Sequence, residues 1–332
     1  MKLMFLCLKE IGVLKMGNME NSSGQKPPYS LEEQEKERTE RVVESGRDSE
    51  SPNTFTIHVE GPDDYTFYNK WRKYSKLESA HRKLAIKFRK ITDDKSVKAS
   101  GPGNCQKIRD AAEKYKDDVR RIYISDRDLM TESEVEKYSH LDSLFFTDFP
   151  AVESYGFSDE ILCGLNKDKY GGNLDLLDSC YEFLKFYLRF LYFYRCKLNH
   201  QKNPKSMNGA AWELHRKLLD YIDINPDNLS IDLFIDFVGV PISSEMQEVL
   251  ELMDGDDVDP RVYAYGHDIA AAVRQIVIKR EDALSSRYAR QKVEYIEQYI
   301  RDAYIEKRMY EHDSLFQALC KRIEDLYNLT TK

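Results

Sequence analysis

The chain has 332 residues, of which 41% are hydrophobic and 33% are charged, with a net charge of −8 and a pI near 5.6. This length suffices for one large domain or two ordinary ones. The acidic balance argues against a passive nucleic-acid coat protein, because non-specific binding to nucleic acid needs a basic face. The six cysteines are scattered without a C-x-x-C pair, which argues against a structural zinc site and favours a reducing, cytoplasmic location.

We expect residues 1–52 to be a disordered N-terminal extension. Most of this stretch is rich in Ser, Gly, Pro, Glu and Arg and shows almost no apolar periodicity. Its first segment, Met1–Leu14, is interrupted by charged residues and is followed by no small-residue cleavage site, so it is not expected to be a signal peptide. The folded part is predicted to begin at Asn53.

Strand-like and helix-like patterns alternate over residues 53–172. In chain order they predict a strand over 54–60, a helix over 64–74, a strand over 84–91, a helix over 104–115, and strands over 120–125 and 143–147. Alternation of this kind is typical of βαβ units and a mostly parallel sheet. The sequence therefore predicts an α/β domain with helices flanking the sheet.

Residues 173–332 have helical periodicity and predict an all-α region for dimerisation or partner docking. The helix expected over 174–198 is apolar on nearly every face, which favours a central, buried position. Its aromatic residues indicate core packing or a dimer interface; they are Tyr181, Phe183, Phe186, Tyr187, Phe190, Phe193 and Tyr194. Charges at Lys185 and Arg189 make this run unsuited to crossing a bilayer. Further helical patterns cover 207–221, 231–238, 243–252, 263–279 and a long region over 282–327.

Acidic residues follow two of the predicted strands. Glu60 ends the first strand and Asp64 comes four residues later, while Asp126 and Asp128 follow the third strand. Carboxyl ends of parallel strands meet at one edge of a sheet, and hard divalent cations prefer oxygen ligands. On spacing alone, the alternatives are an ordinary Glu-Gly turn and a solvated Asp-x-Asp loop.

These motifs resemble the Toprim signature. Val59-Glu60-Gly61 and Ser125–Asp128 correspond to its glutamate and its Asp-x-Asp, and Asp64 lies where nucleases of the OLD family carry a second acid. Two further segments, Phe145–Glu153 and Tyr265–Asp268, look like motifs of a bacterial Toprim-like family. That family is similar to the nuclease effector of the PARIS anti-phage system, which acts with an ABC-type ATPase and cleaves transfer RNA.

The resemblance implies a set of roles for the acids. Glu60 would be the principal metal ligand or the general acid/base, and Asp126 and Asp128 would be metal ligands. Asp64 and Glu153 would bind a second ion. The cofactor implied is Mg²⁺ or Mn²⁺, as one or two ions.

Other candidate residues have an ordinary structural alternative. His267 could stabilise phosphate charge or move a proton, or it could be a hydrogen-bonded surface histidine beside a helix-capping Asp268. Lys87, Arg89 and Arg127 are predicted nucleic-acid contacts, the alternative being a solvated strand edge and loop.

The function implied by the resemblance is that of a metal-dependent endonuclease, a toxic effector in anti-phage defence. Its substrate would be nucleic acid, RNA such as transfer RNA being favoured over DNA. The chain contains no G-x-x-x-x-G-K-[ST] motif, so the regulating ATPase would be a separate protein. A homodimer is expected, and no membrane association. The alternative hypothesis is a non-catalytic sensor or scaffold that binds a partner ATPase.

Overall fold

A four-stranded sheet, parallel throughout, lies at the centre of the computed structural model. The structure describes residues 54–81, 84–172, 177–200, 258–279 and 293–330, which all belong to one compact unit, Ser51–Lys332. At 177–180, 193–200, 278–279, 293–294 and 330 it describes the backbone alone. The predicted helices over 207–221, 231–238 and 243–252, and the extension over 1–52, lie outside these ranges. The predicted boundaries near 53 and 173 stay predictions.

The sheet has the strand order β2-β1-β3-β4. Its strands are β1 (Thr54–Val59), β2 (Ala85–Lys90), β3 (Arg121–Ser125) and β4 (Leu144–Phe146). All six residues of β1 are buried, because this strand is flanked by β2 and β3 and covered on both faces. In the register, Ile57 lies opposite Phe88 on one side and Ile122 on the other. The prediction of an α/β fold with a parallel sheet is confirmed.

Helices cover the two faces of the sheet. Helix α1 (Pro62–Ser75) buries Phe67, Tyr68 and Trp71 in the main core, and the short helix α2 (Leu77–Ala80) follows it. On the other face, α3 (Asn104–Lys114) contributes to a second, smaller core that includes Tyr123 of β3. Helix α4 (Glu132–Glu136) and short 3₁₀ turns at Ile91–Asp93 and Val152–Gly156 complete this half.

The C-terminal region is helical, as expected, and shares the main core with the sheet. It comprises α5 (Asp159–Tyr170), α6 (Leu177–His200), α7 (Gly266–Lys279), α8 (Val293–Glu306) and α9 (Ser314–Thr330), with 3₁₀ turns at Pro260–Val262 and Met309–His312. One continuous apolar cluster contains residues of β1, β2 and β3 together with residues of α5 to α9. Helix α8 passes so close to Gly156 that a Cβ there would lie 2.6 Å from the carbonyl oxygen of Ile300.

The aromatic run of α6 packs in the core. Phe183, Tyr187 and Phe190 are buried, which confirms the core prediction for these three rings. Tyr181 and Phe186 pack against the cluster from its margin, and the side chains of Phe193 and Tyr194 lie outside the described ones. None of the described helices combines the length and hydropathy needed to cross a bilayer.

Two predicted helical segments have different ends in the structure. Helix α7 begins at Gly266 because the chain before it forms the 3₁₀ turn Pro260–Val262. The long region predicted over 282–327 is divided between α8 and α9. Arg308, two residues after the end of α8, has a φ of 59° in the left-handed region, where the helix cannot continue.

Strand β2 forms one edge of the sheet, and neighbouring side chains cover its outer backbone. The Ile86 N–H donates to Glu78 Oε1 at 2.8 Å, and Arg72 donates to the Ile86 carbonyl at 2.5 Å. The flanking Lys87 and Arg89 have exposed side chains. The outward backbone groups of Ile86 are therefore hydrogen-bonded, and charged side chains lie beside them.

Candidate functional site

Glu60 joins the carboxyl ends of β1 and β3. Its Oε1 accepts hydrogen bonds from the Ser125 hydroxyl at 2.9 Å and from the Asp126 backbone N–H at 3.0 Å. Since β1 and β3 are adjacent parallel strands, a side chain just beyond one reaches the end of the other. One oxygen of Glu60 is thereby fixed, while Oε2 accepts no hydrogen bond from any described residue.

Asp126 is a half-buried carboxylate without a hydrogen-bond donor among the described residues. Burial, followed by the charges of Asp64 and Glu60, raises the pKa of Asp126 well above its usual range. A carboxylate in this position is unfavourable unless it is protonated or faces a cation. Carboxylates that bind a metal ion are in this electrostatic condition.

The Asp-x-Asp segment is a fixed turn. The Arg127 N–H donates to Thr147 Oγ1 at 2.8 Å, and the Asp128 N–H donates to the Pro150 carbonyl at 2.9 Å. Asp128 has a φ of 51°, so the extended conformation of β3 does not continue through this residue. A residue with a side chain is uncommon in this left-handed conformation, and such residues often occur at functional sites.

Asp128 faces a tyrosine of the helical region. The Tyr265 hydroxyl donates to Asp128 Oδ1 at 3.3 Å. Burial raises the pKa of Asp128, while the Tyr265 hydrogen bond and the charge of Arg109 oppose that rise. The Gly-His-Asp segment therefore lies beside the Asp-x-Asp turn.

Asp64 lies within the first turn of α1, as expected, and has a capping role. Its Oδ2 accepts the Gly61 N–H at 2.9 Å. Burial and the nearby charge of Glu153 nevertheless raise the pKa of Asp64 to about 7. Burial and the charges of Asp128 and Asp64 raise the pKa of Glu60 to about 8. The predicted acids thus interact electrostatically across the ends of β1 and β3.

Glu153 is buried and already has a cationic partner. Arg301 of α8 donates from Nη1 to Glu153 Oε1 at 2.5 Å and from Nη2 to Asp63 Oδ1 at 3.1 Å. The other oxygen packs against Gly266, where a Cβ would lie only 2.5 Å from Oε2. The glycine of the Gly-His-Asp segment is therefore required by the position of the Glu153 carboxylate.

His267 is at the surface, and a glutamate orients its ring. Its Nδ1 lies 2.7 Å from Oε1 of the buried Glu297 on α8, while 73% of the imidazole is exposed. The hydrogen bond to Glu297 raises the pKa of His267 to about 9, against the smaller effect of burial. Asp268 is buried in the first turn of α7, which begins at Gly266, so it does not precede the helix as a cap would.

The basic residues differ in what they contact. Lys87 and Arg89 have exposed side chains on the edge strand β2, and Arg127 is paired with Glu132 at 2.5 Å. A further arginine, Arg109 on α3, donates to neutral atoms alone among the described residues: Gln106 Oε1 at 3.2 Å, Met130 Sδ at 3.4 Å and Cys105 Sγ at 3.7 Å.

Sequence reasoning missed the partners that the helical region supplies. Arg301, Glu297 and Tyr265 contact Glu153, His267 and Asp128 respectively. Their sequence positions lie far from their partners, and isolated charged or tyrosine residues in helical patterns carry no distinguishing mark. Ser125, next to the Asp-x-Asp, was the one further contact that its position could have indicated.

The donor set suits a hard divalent cation, since Asp126 and its neighbours Glu60, Asp64 and Asp128 present only oxygen and lack cationic partners within ion-pair distance in the described ranges. The side chains are not yet arranged as ligands: no three described His, Cys, Asp or Glu residues form a group that could hold an ion as they stand. Binding would require side-chain rotation of these carboxylates.

The sequence matches no family model, and no curated protein resembles it closely enough to count as a match. A parallel α/β sheet by itself is compatible with many activities. Function is therefore inferred from the carboxylates at the ends of β1 and β3 and from the groups beside them.

Proposed function

We propose that this chain is a divalent-metal-dependent nuclease that hydrolyses phosphodiester bonds. The observation that carries the proposal is the half-buried Asp126, which has no described donor and is surrounded by the charges of Asp64, Glu60 and Asp128. Such a group of acids is costly to maintain without a cation. Its position at the carboxyl ends of adjacent parallel strands is a usual place for a ligand in α/β proteins.

Four residues would hold the ion: Glu60, Asp64, Asp126 and Asp128. The Ser125 hydroxyl and the Asp126 N–H fix Oε1 of Glu60, which leaves Oε2 to face a ligand or to accept a proton. A bound divalent ion supplies charge neutralisation at the phosphoryl oxygens and lowers the pKa of water.

His267 would contact the substrate as a cation. With a pKa of about 9 it is protonated at neutral pH, and Nδ1 is directed toward Glu297. Nε2–H then has no acceptor among the described residues, on an imidazole that is 73% exposed. An imidazolium so placed stabilises negative charge on a phosphate, which favours this role over proton transfer.

The identity of the substrate and partners depends on the resemblance to the PARIS-type Toprim effectors. On that basis we propose RNA, such as transfer RNA, in preference to DNA. A separate ABC-type ATPase, a homodimer and a role in anti-phage defence in the cytoplasm are proposed on the same basis.

The test is cleavage by Glu60→Gln and Asp126→Asn variants. Wild type should cleave labelled transfer RNA or DNA with Mg²⁺ or Mn²⁺ and lose activity in EDTA. Each variant should lose at least about 100-fold in rate, because removing a group that acts on the reacting atoms typically has effects of that size.

Glu132→Gln is the matched control, since Glu132 is 84% exposed and lies outside the acidic cluster. It should cleave as wild type does, and thermal unfolding should show that all variants are folded. If wild type and Glu60→Gln cleave at equal rates, the cleavage does not depend on the acidic cluster and the proposed site is wrong. If neither cleaves while both bind a partner ATPase, the chain is a sensor or scaffold.

A further inference from the structure

Arg301 occupies a place where a second cation would be expected. Its guanidinium bridges Glu153 at 2.5 Å and Asp63 at 3.1 Å, and its side chain is only 9% exposed. A guanidinium held by two carboxylates in a partly buried position is well ordered and always charged. It supplies a fixed positive charge on the side of the acidic cluster formed by α7 and α8.

Glu153 has little capacity left for an ion. One oxygen accepts from Arg301, and the other lies against the Gly266 backbone, where a Cβ would come within 2.5 Å of it. The side chain is 7% exposed. An ion approaching this carboxylate would meet Arg301 beside one oxygen and the start of α7 beside the other.

The acids without a cationic partner in the described ranges lie on the side of the cluster away from Arg301, at the ends of β1 and β3. On the side of Glu153 the acids have cationic partners. Arg301 is paired with Glu153 and Asp63, and His267 is paired with Glu297. No described cation forms an ion pair with any of the four acids at the ends of β1 and β3, which are Glu60, Asp64, Asp126 and Asp128.

We propose that the site binds one divalent cation, at Glu60, Asp64, Asp126 and Asp128, and that Arg301 takes the place of a second. Glu153 is then a positioning residue for Arg301 and not a metal ligand. The inference rests on the proposed function. It assigns to Arg301 the charge compensation that a second ion gives in two-metal sites.

The test is the stoichiometry of Mn²⁺ binding to the full chain, measured by calorimetry and by the loss of the free-ion EPR signal. Wild type should bind one Mn²⁺. Glu153→Gln should also bind one, with an affinity within about threefold, because the charge that is removed is already compensated by Arg301 and its carboxylate is not a ligand. Asp126→Asn should bind none. Circular dichroism and thermal unfolding identify any variant that fails to fold.

Two results would overturn the inference in distinguishable ways. Two ions in wild type, falling to one in Glu153→Gln, would make Glu153 a ligand and leave the nuclease proposal standing. No ion bound to folded wild type would remove both proposals. Because wild-type stoichiometry alone separates these cases, the test does not depend on the stability of the Glu153 variant.

Discussion

Two arginines near the Asp-x-Asp turn differ in whether their charge is already satisfied. Arg127 pairs with Glu132, whereas Arg109, within the part of the chain that the structure describes, donates only to an amide oxygen and two sulfur atoms. The charge of Arg109 nevertheless acts on Asp128, where it opposes the rise in pKa that burial causes. An arginine held by weak neutral acceptors beside the acids is available for a phosphate oxygen, which is a far stronger acceptor.

We expect Arg109→Gln to weaken nucleic-acid binding more than Arg127→Gln does. In a Glu60→Gln background, which prevents cleavage, loss of one phosphate contact should reduce the slope of log affinity against log salt by about 0.7–1. Arg127→Gln should change the slope little. Equal slopes for both variants would show that Arg109 does not contact phosphate.

At the scale of elements, the chemistry lies where β1 and β3 end, and the pH dependence of stability follows from this. Burial and neighbouring acids raise the pKa of Glu60 to about 8 and that of Asp64 to about 7. Both values exceed those of an unfolded chain, about 4. Between about pH 4 and pH 8 the folded state therefore binds more protons than the unfolded chain, and the free energy of unfolding falls as the pH rises through this range.

The metal-free protein should accordingly unfold at a lower temperature at pH 8 than at pH 5. Mn²⁺ should raise the unfolding temperature more at pH 8 than at pH 5, because the acids it neutralises are then charged. Asp126→Asn should flatten the pH profile and reduce the effect of Mn²⁺. An unfolding temperature in EDTA that rises steadily from pH 5 to pH 8 would contradict the electrostatics described for the cluster.

The strands were predictable because their apolar residues alternate and turn residues bound them. The predicted 54–60 and 120–125 differ from β1 and β3 by one residue each. Because the ends of these strands could be predicted, so could the position of the acids that follow them, Glu60 and Asp126. The contacts from the helical region were not, since Arg301 meets Asp63 across 238 positions of sequence. Helical periodicity indicates which face is apolar but not which distant charge a residue will meet.

At the scale of the whole molecule, Phe316 of α9 connects the two regions. Its ring centroid lies 5.3 Å from that of Tyr155, 5.5 Å from Trp71 and 6.0 Å from Tyr304. These residues belong to the turn after β4, to α1 and to α8 respectively. The aromatic cluster makes the last helix part of the core that supports the sheet.

Phe316→Ala should destabilise the whole chain by about 3–5 kcal/mol, the usual cost of removing a buried aromatic ring. Urea unfolding should stay a single transition with an unchanged slope, because the sheet and the C-terminal helices share one core. Leu329→Ala, on the same helix but with 71% of the leucine exposed, should cost less than about 0.5 kcal/mol. Two separate transitions in Phe316→Ala would show that the regions unfold independently.

The covered edge of β2 limits how copies of this protein can associate. An exposed strand edge invites pairing with a strand of another molecule, which leads to domain swapping or aggregation. Here the outward N–H and carbonyl of Ile86 are bonded to Glu78 and Arg72, and Lys87 and Arg89 place charge beside them. Whatever their part in binding nucleic acid, these residues protect the sheet against extension, so any dimer should form through other surfaces.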